Sequence, residues 1–95
     1  MNKYYVYILT TAQNKVLYIG ITNDMPRRLC EHQAETADSF TRRYHIHKLV
    51  YFEEYADPQA AICREKQLKK WTRQKKNALI TQKNPNWNDL SHSFM

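Results

Sequence analysis

The chain has 95 residues, 42% of them apolar and 25% charged, enough for one modest core and too apolar for disorder. Fifteen Lys and Arg against nine Asp and Glu leave a charge of +6, which favours a polyanionic partner. A single glycine excludes the phosphate-cradling loops of P-loop and dinucleotide-binding proteins, which need more than one.

Residues 4–10 and 15–22 are aromatic and β-branched and read as two strands, joined closely enough to form an antiparallel hairpin. Asn23-Asp24-Met25-Pro26 supplies a cap and an early proline, so a helix is expected over 25–35. Residues 36–47 are polar and read as a loop, 48–54 as a third strand, and 58–70 as a second helix capped by Asp57. A third helix is expected over 73–83, ended by Asn84-Pro85, with Trp87 and Leu90 anchoring the tail. The order β-β-α-β-α-α predicts an α+β domain: a three-stranded antiparallel sheet flanked by helices. One domain over 1–95 is expected, with its core at about 4–90. Cys30 and Cys63 fall in helical segments and read as free thiols of a reducing compartment. With no secretory leader pattern and no long apolar run, the expected location is the cytoplasm, away from membranes.

A hairpin turn centred between Ala12 and Gln13 sets Tyr7 opposite Tyr18, Tyr5 opposite Gly20 and Leu9 opposite Val16. One face is then aliphatic (Val6, Ile8, Leu17, Ile19), and the other presents tyrosines beside the glycine. A strand glycine marks a close approach of backbone or ligand, although an aromatic pair that merely packs is the simpler account. On the first helix Arg28 and His32 are four apart and share one stripe, at the edge of the face set by Met25 and Leu29. On the second, Glu65 falls on the apolar stripe of Ala61 and Leu68, where a carboxylate needs a partner: an ion pair or a divalent metal. Around it lie seven basic residues in thirteen: Arg64, Lys66, Lys69, Lys70, Arg73, Lys75 and Lys76, with Trp71 among them. Such a block suits phosphate contacts. Together these are parts of a phosphodiester-cutting site: a metal ligand, a base for water, and cationic donors for the phosphate.

In these residues the chain resembles the GIY-YIG nuclease family. Tyr5-Val6-Tyr7 stands at the first tripeptide, with Tyr5 in place of the glycine, and Tyr18-Ile19-Gly20 is the second unchanged. Arg28 with His32, then Glu65, follow in the family order, and Asn84-Pro85-Asn86-Trp87 matches the ending of small stand-alone bacterial members. The resemblance implies a DNA-cutting domain using one divalent ion, Mg2+ or Mn2+, held by Glu65, with Arg28 neutralising the scissile phosphate. Tyr7, Tyr18 or His32 would activate the water, and Asn84 or Asn77 stands for the family's late asparagine. Arg42, Arg43, Lys69, Lys70 and Arg73 are the candidate DNA contacts. So short a chain has little surface for reading sequence, so structure-selective or weakly selective cutting is expected, with roles in DNA repair or recombination. The alternative is a nucleic-acid-binding module without catalysis. A zinc protein is disfavoured, because Cys30-x-His32 and His45-x-His47 lack the paired spacings of zinc frameworks.

Overall fold

A computed structural model describes residues 2–36 and 39–94. The chain runs β1 (Tyr4–Thr10), β2 (Leu17–Thr22), α1 (Met25–Gln33), α2 (Ser39–Tyr44), β3 (Lys48–Tyr55), α3 (Pro58–Lys70), α4 (Arg73–Lys83) and a 3-10 turn at Ser91–Ser93. The strands form one antiparallel sheet in the order β2-β1-β3. This is the expected α+β architecture with one addition: α2 lies within the segment read as a loop. Six residues are too few to show a helical period against a polar background.

Helix starts follow the side chains that satisfy their orphan N–H groups. Asp24 accepts from the Arg27 amide at 3.2 Å, Asp57 from that of Gln59 at 3.2 Å, and Thr72 from that of Lys75 at 3.2 Å. Pro26 and Pro58 occupy first-turn positions, where a missing N–H costs nothing.

Strand β1 is central and has apolar side chains buried on both sides. On one face Val6, Ile8, Ile19, Val50 and Tyr51 pack with Ala61 and Leu68 of α3 and Ile80 of α4. On the other, Tyr7, Leu9 and Leu49 pack with Met25 and Leu29 of α1 and with Ile46. The ladder slips between Ile8 and Leu9, which face Tyr51 and Leu49. The bulge turns both Val50 and Tyr51 toward α3.

The hairpin register differs from the expected one. Tyr7 pairs with Gly20, Tyr5 with Thr22 and Leu9 with Tyr18. The turn sits later because Asn14, at φ 61°, takes the left-handed conformation that asparagine tolerates. Its amide donates to the Thr11 carbonyl at 2.9 Å, and the Lys15 amide to Thr11 Oγ1 at 2.9 Å. A shift of two residues keeps every side chain on its expected face, so Tyr7 and Tyr18 still share one.

Glu53 of β3 ties α3 to the sheet. It accepts from Arg64 Nε at 2.9 Å and from the hydroxyls of Tyr55, at 2.6 Å, and Tyr51. Burial raises its carboxyl pKa, but the hydrogen bonds from Arg64, Tyr51 and Tyr55 outweigh this and hold it below the usual range. Burial, and then the Glu53 charge, push the Tyr51 hydroxyl above its ordinary value. The tail closes over β3: Leu90 N–H donates to the Leu49 carbonyl at 2.7 Å, and Asp89 accepts from the Leu49 amide at 3.3 Å.

Candidate active site

The site begins at the only glycine. A Cβ at Gly20 would run into the hydroxyl oxygen and Cζ of Tyr7, which lies over it from the paired position. Gly20 does not have positive φ, so glycine is required here for clearance rather than for backbone freedom. Seated in that slot, Tyr7 is 1% exposed, and its hydroxyl meets His32 Nε2 at 3.2 Å. His32 is equally buried, on the stripe of α1 that carries Leu29 and Met25. Tyr18 completes a triangle of rings, 6.3 Å from Tyr7 and 5.4 Å from His32 between centroids. Being on an edge strand, Tyr18 is only half-buried.

One turn before His32, Arg28 reaches Glu31 Oε1 at 3.6 Å. Its Nε is buried with no hydrogen-bond partner among the described residues, which is costly for a charged donor unless an anion completes it. Arg28 lines a cavity of about 310 Å³ at the end of β2, together with Thr22, Asn23, and Pro58 and Ile62 of α3.

Glu65 belongs to a different layer from this group. Helix α3 packs on the other face of the sheet, through Ala61 and Leu68. Its start shares the cavity with Thr22 and Asn23. Just past its end, the Arg73 guanidinium donates to the carbonyls of Asn14 at 2.7 Å and Lys15 at 2.8 Å. Glu65 lies on α3 between these two ends, its carboxylate 15% exposed and paired with Lys69 Nζ at 2.8 Å. The five side chains expected around one concavity are thus divided. Tyr7, Tyr18 and His32 touch one another, Arg28 lies one helical turn before His32 and lines the cavity at the end of β2, and Glu65 belongs to α3 in the opposite layer. The reason is parity: strand residues facing α1 cannot also face α3.

The ion pair with Lys69 accounts for the half-buried carboxylate, so a metal ion there would displace the lysine. One carboxylate suits Mg2+, which keeps several waters and takes substrate phosphate oxygens rather than a full protein cage. The donor set therefore fits the single-ion site that the resemblance implies.

The candidate DNA contacts separate similarly. Arg42 and Arg43 are exposed on α2, with Arg43 over the Tyr44 ring at 5.6 Å, and Lys70 is exposed at the end of α3. Lys69 is paired with Glu65, and Arg73 also donates to Asn77 Oδ1 at 2.8 Å. Arg73 thus pins the hairpin turn. Both asparagines have structural roles: Asn77 receives Arg73, while the buried Asn84 donates to the carbonyls of Val50 at 3.0 Å and Asn88 at 2.9 Å. Sequence reasoning missed Phe40, whose ring stacks on Tyr18 at 6.3 Å and on whose other side Tyr44 lies at 5.0 Å. Both are exposed, at 44% and 42%. The available signal is an aromatic pair four residues apart, which carries no meaning in a segment read as a loop.

A hairpin with Tyr7 and Tyr18 on one face, an Arg/His helix and a glutamate on α3 follow the pattern of a GIY-YIG-type catalytic domain. The family model for the GIY-YIG catalytic domain matches residues 3–78, and the chain belongs to this nuclease family. It is similar to a UPF0213 protein of Haloquadratum walsbyi, 37% identical over 79 residues, covering 83% of this chain and 89% of the relative. A UPF0213 protein of Streptococcus sanguinis is 39% identical over 85 residues, covering 90% and 97%. The solution NMR structure of a UPF0213 protein from Bacillus halodurans superposes with a TM-score of 0.58 at 28% identity, covering 92% of each chain. Among the described residues no helix is long and apolar enough to cross a membrane.

Proposed function

We propose that this chain is a metal-dependent endonuclease that hydrolyses DNA phosphodiester bonds, as one domain acting on structured or weakly selected DNA. The observation that carries this reading is the cluster of Tyr7, Tyr18 and His32 closed over Gly20, with the unpartnered Arg28 Nε beside it. Arg28 binds the scissile phosphate, and its fixed charge stabilises the charge that develops on the phosphoryl oxygens. Tyr18, the most exposed of the three rings, meets the attacking water, while His32 orders the Tyr7 hydroxyl behind it. Glu65 would hold one Mg2+ or Mn2+, which supplies Lewis-acid stabilisation when bound. Arg42, Arg43 and Lys70 supply phosphate contacts beside the site. The exposed thiols Cys30 and Cys63 suit a reducing cytoplasm, and selectivity for DNA structure suits repair or recombination.

The test is cleavage of linear, nicked, branched and single-stranded DNA with and without Mg2+ or Mn2+, beside Arg28→Ala and Glu65→Ala. Metal-dependent cuts lost in both variants support the proposal. Tight binding without cleavage by the intact protein would overturn it in favour of a binding module, a reading favoured by the existing Glu65–Lys69 pair.

A further inference from the structure

Away from the tyrosine cluster, three side chains from separate positions converge where α1 and α2 end. Glu35 follows the last turn of α1, His45 follows α2, and His47 precedes β3. Glu35 Oε2 meets His45 Nδ1 at 2.6 Å and His47 Nε2 at 3.1 Å. The three ligand atoms all lie within 4.8 Å of one another. Glu35 and His45 both adopt positive φ, at 60° and 55°, a conformation uncommon for residues other than glycine.

From this juxtaposition of two imidazoles and a carboxylate we infer a transition-metal site of the zinc class, distinct from the Mg2+ site at Glu65. Two imidazoles with one carboxylate is a donor set that Zn2+ accepts and that Mg2+ and Ca2+, which take oxygen, do not favour. Donors bound tetrahedrally at ~2.0–2.1 Å sit about 3.3 Å apart, so the Glu35–His45 pair, at 2.6 Å, would open while all three atoms, already within 4.8 Å of one another, close on the ion. The cluster opens on a cavity of about 380 Å³ lined by Gln33, His45, His47, Lys48 and Asp89. That leaves the fourth position to water. Asp89 Oδ1 is already used by the amides of Leu49 and Ser91, and Lys48 on the same wall weakens binding without blocking it. The ion would replace hydrogen bonds from two histidines to one oxygen, and would clip the end of α1 to the α2–β3 junction. Phe40, the neighbour of Tyr18, rides on the segment so clipped.

The experiment is titration of chelator-stripped protein with Zn2+ in Mg2+-containing buffer, followed by calorimetry and thermal unfolding. One Zn2+ per chain is expected, with a rise in Tm and no competition from Mg2+. His45 is 73% exposed on its side chain, so His45→Asn should fold normally. Removing it should weaken binding by more than the ~10–100-fold that loss of a supporting hydrogen bond to a ligand costs. Glu35→Gln should do the same, whereas Glu65→Ala should bind Zn2+ as the parent does. Undiminished binding in His45→Asn and Glu35→Gln would overturn the site and place the ion elsewhere on the chain. Absence of any Zn2+ binding by the parent would overturn it outright.

Discussion

The Gly20→Ala substitution isolates the contact on which the tyrosine cluster depends. An ideal Cβ there meets three Tyr7 ring atoms, Cε1 at 3.0 Å and Cζ and the hydroxyl oxygen closer still. Ordinary contact is ~3.5–4.0 Å, so the ring must retreat by roughly 1 Å. It cannot swing into solvent, because Tyr7 is 1% exposed and held between Gly20 and His32. Overpacking of this kind costs about 1–3 kcal/mol, less the ~0.5–1 kcal/mol that alanine gains over glycine in a strand. The net expectation is a loss of about 1–2 kcal/mol, read as a fall in Tm of roughly 5–15 °C for a chain of this size. In a Tyr7→Ala background the clash is gone and only the propensity gain remains, so the same substitution should stabilise by ~0.5–1 kcal/mol. Equal costs in the two backgrounds would refute the idea that Gly20 exists to seat Tyr7.

Arg64→Met should destabilise by about 2–4 kcal/mol in urea unfolding, because it leaves the mostly buried Glu53 carboxylate without its counter-charge, held only by the hydroxyls of Tyr51 and Tyr55. The Glu53 carboxyl is held below its ordinary 4.5 in the fold. Its contribution is therefore complete above that value and lost as pH falls through the native pKa, so Glu53→Gln should flatten the acid limb of stability against pH. Tyr51 and Tyr55 are both shifted upward, so stability should fall as pH rises above the ordinary tyrosine pKa, and Tyr51→Phe should reduce that alkaline slope to the part Tyr55 carries. Reversing Arg42 and Arg43 to Glu should flatten the log–log salt dependence of DNA binding by about 0.9 for each phosphate no longer neutralised, measured by anisotropy. Arg73→Ala should instead lower Tm, since its guanidinium holds the carbonyls of Asn14 and Lys15.

Local chemistry makes much of this fold legible. Asp24 and Asp57 cap where their positions before helical runs say they should, and alternation along β1 and β2 separates the two faces through the two-residue shift of register. The register itself depends on Asn14 taking a left-handed conformation, which several polar residues between the strands could have done. The tyrosines, Arg28 and His32 can be assembled because strand and helix periods order them. Glu65 can be placed on an apolar stripe, but its partner Lys69 and its opposite layer depend on how α3 crosses the sheet. Arg73 reads as a phosphate contact because its carbonyl partners lie 58 and 59 residues away in sequence. The Glu35–His45–His47 cluster has the same origin: its ligands are brought together by α2, a helix the polar composition conceals.

In the proposed mechanism Arg28 and Glu65, from helices in opposite layers, act on one phosphate at the free edge of β2. Single-turnover cleavage of saturating single-stranded and branched DNA, titrated with Mg2+, tests this most directly. Metal-dependent cutting is expected from the parent and none from Glu65→Ala at any Mg2+ concentration, with the variant's DNA affinity and Tm unchanged. Arg28→Ala is expected to bind Mg2+ but not to cut. Cleavage by Glu65→Ala at the parental rate would contradict the mechanism.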